Sequence, residues 1–528
     1  MAGKFDQEAV INIGTLPAHH ARYHPNKRAF GFAGTQYSFG ELNALINALA
    51  NALLRAGLNK GDKVATVMSN RLELVTMYWA AAKTGIIIVP TSPLLQDTGL
   101  RTLLANCDAA AVIADKEFAD MLTRIRPELA GIAADRYILA GVDFDAPEGF
   151  QAYEDFVAGP DGADISEPPD AAIVDDDIFN IMYSSGTTGA PKGIVHSHYV
   201  RSHYCSLFAA AFRMTPESIV LHSGSIVFNG AMIDFLPWML LGAEYILHDS
   251  FDAKRVIDEI AASRVTHIIM VPSQIMALLN HPEFDAAKLD SLEMIQSLGA
   301  PLLLEYKYRL NEALPGRFYE LYGLTEGFIT VLDREDSGRK AGSVGVPLIL
   351  HELKILNEAG EELPVGEVGE ICGRGPLLMP GYYKQPELTA QTVVDGWLHS
   401  GDAGYVDEDG FLYLVDRIKD MIISGGVNVY PKDIEELIVG HPAVAEVAVF
   451  GAPDDKWGEV PVAAVILMTG QALVPGDLID WTNQRVSAKF QRISDCLVLE
   501  EFPRNIAGKT LKREIRDDYL AARISGRS

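Results

Sequence analysis

Tyr183-Ser184-Ser185-Gly186-Thr187-Thr188-Gly189-Ala190-Pro191-Lys192-Gly193 packs three glycines, four Ser/Thr hydroxyls and one lysine into eleven residues. It directly follows the apolar run Ile178-Phe179-Asn180-Ile181-Met182. Glycines let backbone N–H groups turn inward, hydroxyls donate to phosphate oxygens, and lysine supplies a positive charge. A solvated turn between two strands would explain the glycines and serines, but not this density of donors beside a lysine. The stretch therefore predicts a loop that wraps a polyphosphate. The common nucleotide loop needs Gly, four residues, then Gly-Lys-Ser/Thr before a helix. Here Lys192 stands three residues after Gly189 and is followed by Gly193, so that spacing fails. The dinucleotide fingerprint G-x-G-x-x-G is also missing from the loop.

On both sides of the loop, helical and strand signals alternate. Residues 39–56 carry apolar side chains at helical spacing and stop at Gly57; 63–68 is a short β-rich run, 73–84 is helical and 86–90 reads as another strand. The rhythm recurs at 110–114, 179–183, 219–222, 244–247, 256–263 and 267–271. Alternation of this kind predicts parallel sheets covered by helices, an α/β fold. Residues 145–177, rich in Asp, Gly and Pro, predict a surface connection leading to the loop. From about Gly342 short runs (352–356, 369–372, 411–415) are separated by Gly-rich or acidic turns, which predicts a small β-barrel-like subdomain. After Arg417 the pattern predicts βαβ-like units: 434–439, 445–450, 462–467, a helix at 478–488, then 496–499. The expected organisation is a large N-terminal domain, 1–417, whose residues 342–417 are β-rich, and a small α+β C-terminal domain, 418–528.

Bulk properties exclude several classes. A net charge of −27 over 528 residues argues against nucleic acid or an anionic membrane surface as a main partner. Cys107, Cys205, Cys372 and Cys496 are scattered without a C-x-x-C pair, so neither a disulfide framework nor a zinc site is expected and a reducing cytoplasm fits. Residues 1–14 hold charges and no sustained apolar core, which predicts no signal peptide. No stretch reaches the length of a membrane helix; 78–90 is interrupted by Lys83 and 235–241 ends at Gly242.

Five further segments converge with the phosphate loop: Gly299-Ala300-Pro301; Tyr322-Gly323-Leu324-Thr325-Glu326; Trp397-Leu398-His399-Ser400-Gly401-Asp402; Asp416-Arg417-Ile418-Lys419-Asp420 with Ser424-Gly425-Gly426-Val427-Asn428; and Pro503-Arg504-Asn505-Ile506-Ala507-Gly508-Lys509. Taken singly they are bland: Tyr322 reads as a core aromatic, Asp402 as a turn residue, Lys509 as an exposed lysine. In this order and at these separations they resemble the adenylate-forming superfamily of acyl- and aryl-CoA synthetases, luciferases and peptide-synthetase adenylation domains, closest to the carboxylate–CoA ligases. The resemblance runs from about Tyr37 to Arg516.

The resemblance implies a reaction with ATP and Mg2+ that turns a carboxylic acid into an acyl-adenylate, then passes the acyl group to CoA. It assigns Ser184, Ser185, Gly186, Thr187, Thr188, Gly189 and Lys192 to the phosphates, with Thr187, Thr188 and Lys192 on the β- and γ-groups. Tyr322 would stack on adenine, with Gly299, Ala300, Pro301 and Gly323 about the base. Thr325 matches an α-phosphate contact, Glu326 the Mg2+ carboxylate, Asp402 a ribose contact and Arg417 a ribose and phosphate contact. Lys509 matches the lysine bridging substrate carboxylate and α-phosphate. Lys419 matches a hinge about which the C-terminal domain rotates, withdrawing Lys509 and presenting Gly425 and Gly426 for the second step.

By the same resemblance Trp457, Phe490 and Arg492 match CoA contacts; an aromatic pair and an arginine suit an adenine ring and a phosphate. The acid pocket is expected from Phe228, Asn229, Met232, Gly299, Gly323 and Phe328. No Arg or Lys stands among these positions, so an apolar acid is expected, medium-chain, branched, alicyclic or aromatic, rather than one with a second carboxylate. The histidines of His196-Ser197-His198-Tyr199 and His203 lack companions at tetrahedral spacing and are not expected to bind metal. Three alternatives stay open: an acyl-AMP ligase loading an acyl carrier protein, a luciferase-like oxidative branch, and a non-catalytic sensor of nucleotide or acyl-CoA. Association as a homodimer is also left open.

Overall fold

Ser38 starts the first long helix, Phe39–Arg55, by accepting from the Glu41 N–H while the Glu41 carboxylate reaches back to the Ser38 N–H. That reciprocal cap satisfies two donors that the first turn leaves free. Phe39, Leu42, Ile46, Leu49 and Leu53 then line one face and are all buried. The next helix, Leu72–Thr84, is buried almost throughout. Its Lys83 is accommodated because the ammonium donates to Asn43 and Asn47 at 2.8 and 2.7 Å and pairs with Glu167 at 2.6 Å. Glu167 belongs to the Asp/Gly/Pro-rich connection, which is thereby tied to the first helix. The computed structural model describes residues 12–141, 144–184, 191–417, 420–425, 427–454, 456–504 and 510–524.

Contacts divide the chain into two units: Met1–Glu352 with Arg374–Leu398, and Leu353–Gly373 with His399–Ser528. The division runs through the β-rich stretch instead of past its end at 417. Within the second unit, Lys432 donates from its backbone N–H to Asp416 and from Nζ to the Leu414 carbonyl, at 3.0 and 2.8 Å. These bonds join the strand Leu412–Arg417 to the helix Pro431–Val439.

The first unit contains two mixed sheets. Nine strands follow the order Val346–Pro347, Ile329–Leu332, Phe318–Gly323, Met294–Leu298, His267–Met270, Ile219–His222, Glu244–Leu247, Arg28–Phe32 and Thr35–Ser38. The six from Phe318–Gly323 to Arg28–Phe32 are parallel. The second sheet runs Gln151–Ala152, Tyr137–Ala140, Ala109–Asp115, Lys63–Val67, Ile87–Thr91, Ile178–Ser184 and Lys192–Ser197, and only the last strand is antiparallel to its neighbour. One core joins residues of both sheets, such as Tyr245 and Phe179, to the helices Phe39–Arg55, Leu72–Thr84, His198–Ala211 and Met232–Leu241. The alternating pattern thus gives the expected α/β architecture.

In the second unit, Val444–Asp454 and Gly458–Leu467 pair as a long antiparallel hairpin, and Asp495–Val498 runs parallel to the second arm. This corrects the expected βαβ-like reading of 445–467. Three residues join the two strands, far too few for the crossover that parallel neighbours need. The run 434–439 is helical, within Pro431–Val439, and the following helix ends at Asn483, short of 488. No helix among the described residues is long and apolar enough to cross a membrane.

His198 opens the helix His198–Ala211, fully buried, and neither ring nitrogen has a hydrogen-bond partner. Burial pushes its pKa down to about 4. The unfolded chain therefore takes up a proton below pH 6.5 that the folded chain refuses until about pH 4, so this residue's contribution is complete above pH 6.5 and is lost as pH falls. Between pH 7 and pH 5 the loss is about 2 kcal/mol. His198→Asn should narrow the shift of the urea midpoint between those two pH values. An unchanged shift would show that other groups set the acid sensitivity.

Candidate active site

Sheet order brings the candidates for nucleotide binding together. Leu298 sits beside Leu321 in adjacent parallel strands, so Gly299-Ala300-Pro301 and Tyr322-Gly323 leave the sheet at the same carboxyl edge. Open parallel sheets bind ligands at that edge. The turn Gly299–Pro301 is exposed and Tyr322 is half-buried. Gly323 cannot carry a side chain, because a Cβ there would lie 2.8 Å from both the Phe328 carbonyl oxygen and Ile329. Two strands away, Ile219–His222 delivers the segment carrying Phe228 and Asn229 to the same edge, both half-buried. Met232 and Phe328, by contrast, are 0 % and 1 % exposed.

Of the phosphate-loop candidates, Ser184 and Lys192 lie at the rim of the other sheet of this unit. Ser184 stands opposite Lys192 in the antiparallel pair, so the two ends of the loop are held against each other. Ser185, Gly186, Thr187, Thr188 and Gly189 lie outside the described residues, as do Lys419, Gly426 and Lys509. The segment Gly381–Tyr383 is laced to the exit strand: Val195 N–H donates to the Gly381 carbonyl at 3.1 Å and Tyr383 N–H to the Gly193 carbonyl at 2.7 Å. This places the Tyr382 ring 5.8 Å from Lys192 Nζ and its hydroxyl 2.7 Å from Glu326 Oε1. Burial, reinforced by the Glu326 charge, raises the Tyr382 pKa, so the phenol stays neutral and donates. Beside it, His196 Nε2 donates to the Thr325 carbonyl at 2.9 Å, and burial drops the His196 pKa well below its usual value. The imidazole is a neutral strut between the strand Lys192–Ser197 and the Thr325-Glu326 turn. The sequence reads His196 only within a histidine cluster not expected to bind metal and singles out nothing at Tyr382; nothing in their local spacing points to these partners.

Glu326 is half-buried, with one carboxylate oxygen oriented by a phenol. A positioned carboxylate of this kind suits Mg2+, which takes one or two protein carboxylates beside substrate phosphates. Tyr382→Phe should raise the Mg2+ concentration needed for half-maximal pyrophosphate exchange by about ten- to a hundredfold, the loss of one hydrogen bond to a charged group. An unchanged Mg2+ titration would remove Tyr382 from this role.

In the second unit, Asp402 and Arg417 are register partners on the antiparallel strands Trp397–Val406 and Leu412–Arg417, with carboxylate and guanidinium 3.5 Å apart. Glu370 shapes the turn before Asp402: one oxygen accepts from Gly401 N–H at 3.0 Å, the other lies 2.8 Å from His399 Nδ1. Among the described residues, Glu370, Cys372 and His399 are the one group whose metal-ligating atoms cluster within 4.8 Å. Gly425 N–H donates to the Trp457 carbonyl at 2.6 Å, and the Trp457 side chain is largely exposed beside it. Phe490 is partly buried against the core of this unit, whereas Arg492 is exposed. The three CoA candidates therefore differ: Trp457 and Arg492 present surface, and Phe490 spends part of its ring on packing.

Arg201 is the largest departure from the sequence reading. It is wholly buried and bonds Asn229, so a cation does stand behind the expected acid pocket. Its one sequence signal was Asn180, a lone amide inside the apolar run 178–182, which Arg201 also contacts.

Comparison with known proteins agrees with this layout. Residues 17–383 match the AMP-binding enzyme model and 433–509 the AMP-binding enzyme C-terminal domain. The chain is 34% identical over 510 residues to a feruloyl-CoA synthase of Amycolatopsis sp, covering 96% of this chain and 98% of the relative. It is 32% identical over 506 residues to an indoleacetate–CoA ligase of Aromatoleum aromaticum, covering 94% and 96%. The crystal structure of ATP-bound MatB from Rhodopseudomonas palustris superposes with a TM-score of 0.88 at 28% identity, covering 97% of this chain and 99% of that one. The chain belongs to the AMP-binding enzyme family, the adenylate-forming superfamily, close to its carboxylate–CoA ligases, and is an acid–thiol ligase.

Proposed function

We propose that the chain joins a carboxylic acid to CoA in two half-reactions. The carboxylate attacks the α-phosphate of ATP, giving acyl-AMP and pyrophosphate; the CoA thiol then attacks the acyl carbon, releasing AMP. The observation that carries this reading is the convergence at one sheet edge of the turn Gly299–Pro301, Tyr322 and the Phe228-Asn229 segment, with Glu326 joined through Tyr382 to Lys192. Tyr322 and the turn take adenine, Thr325 the α-phosphate, and Thr187, Thr188 and Lys192 the departing pyrophosphate. Asp402 and Arg417 take the ribose. Glu326 would hold Mg2+, which when bound would supply neutralisation of the phosphate charge. Lys509 serves adenylation, Lys419 is the hinge, and Gly425, Gly426, Trp457 and Arg492 serve CoA, with Phe490 as a lesser contact.

For the acid, Phe228 and Leu298 offer partly exposed apolar surface, and relatives carry names of aromatic-acid and fatty-acid ligases. An acid with an apolar body, aromatic, alicyclic or medium-chain, fits both. Acid-dependent exchange of labelled pyrophosphate into ATP, followed by CoA-dependent AMP release, tests the reading. Absence of exchange with every acid of a broad panel would sink it and favour a sensor. Exchange without CoA-dependent AMP release would favour a carrier-protein loader.

A further inference from the structure

Arg201 is 0 % exposed and its neighbours are all neutral. Nε donates to Asn180 Oδ1 and Nη1 to Asn229 Oδ1, each at 2.9 Å; Nη2 faces the Met182 sulfur at 3.7 Å, and the guanidinium lies 4.5 Å from the Tyr204 ring centroid. No carboxylate pairs with it among the described residues. A guanidinium carries five N–H donors; two here end on amide oxygens and one on a weak sulfur acceptor. Burying a cation without a counter-ion is costly, and packing alone would be served as well by leucine.

A second, independent observation lies beside it. Asn180 and His196 are opposite one another in the strand pair, both 0 % exposed. Asn180 Nδ2 and His196 Nδ1 have no hydrogen-bond partner. Asn229, half-buried, is locked by its neighbours: Oδ1 accepts from Arg201, and Nδ2 donates to the Tyr204 hydroxyl at 3.0 Å. That geometry leaves the second Asn229 N–H uncommitted, on the segment that arrives at the sheet edge.

We propose that Asn180, Arg201, Tyr204 and Asn229 form a polar end wall of the acid site, selecting a carboxylic acid whose far end carries a carbonyl or carboxylate oxygen. Asn229 is the contact, donating its second N–H to that oxygen. Arg201 is a positioning residue: it fixes the Asn229 amide and its charge strengthens the donor. The proposal rests on the ligase reading, and it replaces a wholly apolar acid with one that has an apolar body and an oxygen-bearing tip.

The test uses acids in matched pairs on linear, alicyclic and aromatic frameworks, each with and without a terminal oxo or carboxylate group, assayed by CoA-dependent AMP formation. The expected result is a preference in kcat/KM of about tenfold or more for the oxygen-ended member in the best framework. Asn229→Leu and Arg201→Leu should bring that ratio to near one through the KM for the acid, with the KM for ATP unchanged. Should Arg201→Leu fail to fold, the half-buried Asn229 position carries the test. No preference in the native enzyme, or a preference that survives Asn229→Leu, would overturn the proposal. Absence of AMP release with every acid tried would instead mark failure of the ligase reading.

Discussion

Lys509→Ala is expected to lower the adenylation half-reaction by about 10²- to 10³-fold while leaving thioester formation from pre-made acyl-adenylate within about threefold. The reason is where charge develops. As the carboxylate approaches the α-phosphate, two anionic groups are forced together, and a lysine between them is worth most at the transition state. Removing one such preorganised donor costs about 2.7–4 kcal/mol. In the second half-reaction the bond between carboxylate and α-phosphate is already made, and the thiol attacks carbon and expels AMP, so a lysine that acts on the approach of those two groups has little left to stabilise. Pyrophosphate exchange reports the first step alone, and CoA with synthetic acyl-adenylate reports the second. Equal losses in both assays would remove Lys509 from its assigned role.

Gly425→Ala is expected to produce the opposite split, slowing thioester formation by about 10- to 100-fold with adenylation within about threefold. Gly425 sits at φ +62°, where residues with a Cβ pay about 1–2 kcal/mol. A Cβ there would also lie 2.6 Å from the Trp457 ring. The substitution must therefore shift either the turn or the indole, and both belong to the surface assigned to CoA. Displacement of Trp457 should appear as a changed fluorescence emission together with a raised KM for CoA. Unchanged CoA kinetics in a folded variant would take this turn out of the second half-reaction.

Much of the first unit was legible in the chain because its signals are local. The cap Ser38-Glu41, the 3.6-residue spacing that follows it and the glycine after residue 56 define the helix Phe39–Arg55 without reference to any neighbour. The hairpin Val444–Asp454/Gly458–Leu467 is not legible in the two β-rich runs, which look the same whether paired parallel or antiparallel; the length of the connection between the folded strands decides. Met232 and Phe328 are assigned to the acid pocket by resemblance; their depth in the core, 0 % and 1 % exposed, is set by the folded structure and not by position along the chain.

The sequence by itself determined the α/β alternation and, through a donor-dense loop and an ordered set of short motifs, the resemblance to the adenylate-forming superfamily, each signal encoded within a few consecutive residues. Only the tertiary structure decided what stands around those motifs. Tyr382 reaches Glu326 across 56 residues, His196 reaches Thr325 across 129, and Arg201 meets Asn180 and Asn229 from a separate helix. A hydrogen bond or a buried charge depends on distance and desolvation, and neither quantity exists until the sheets have folded and closed water out.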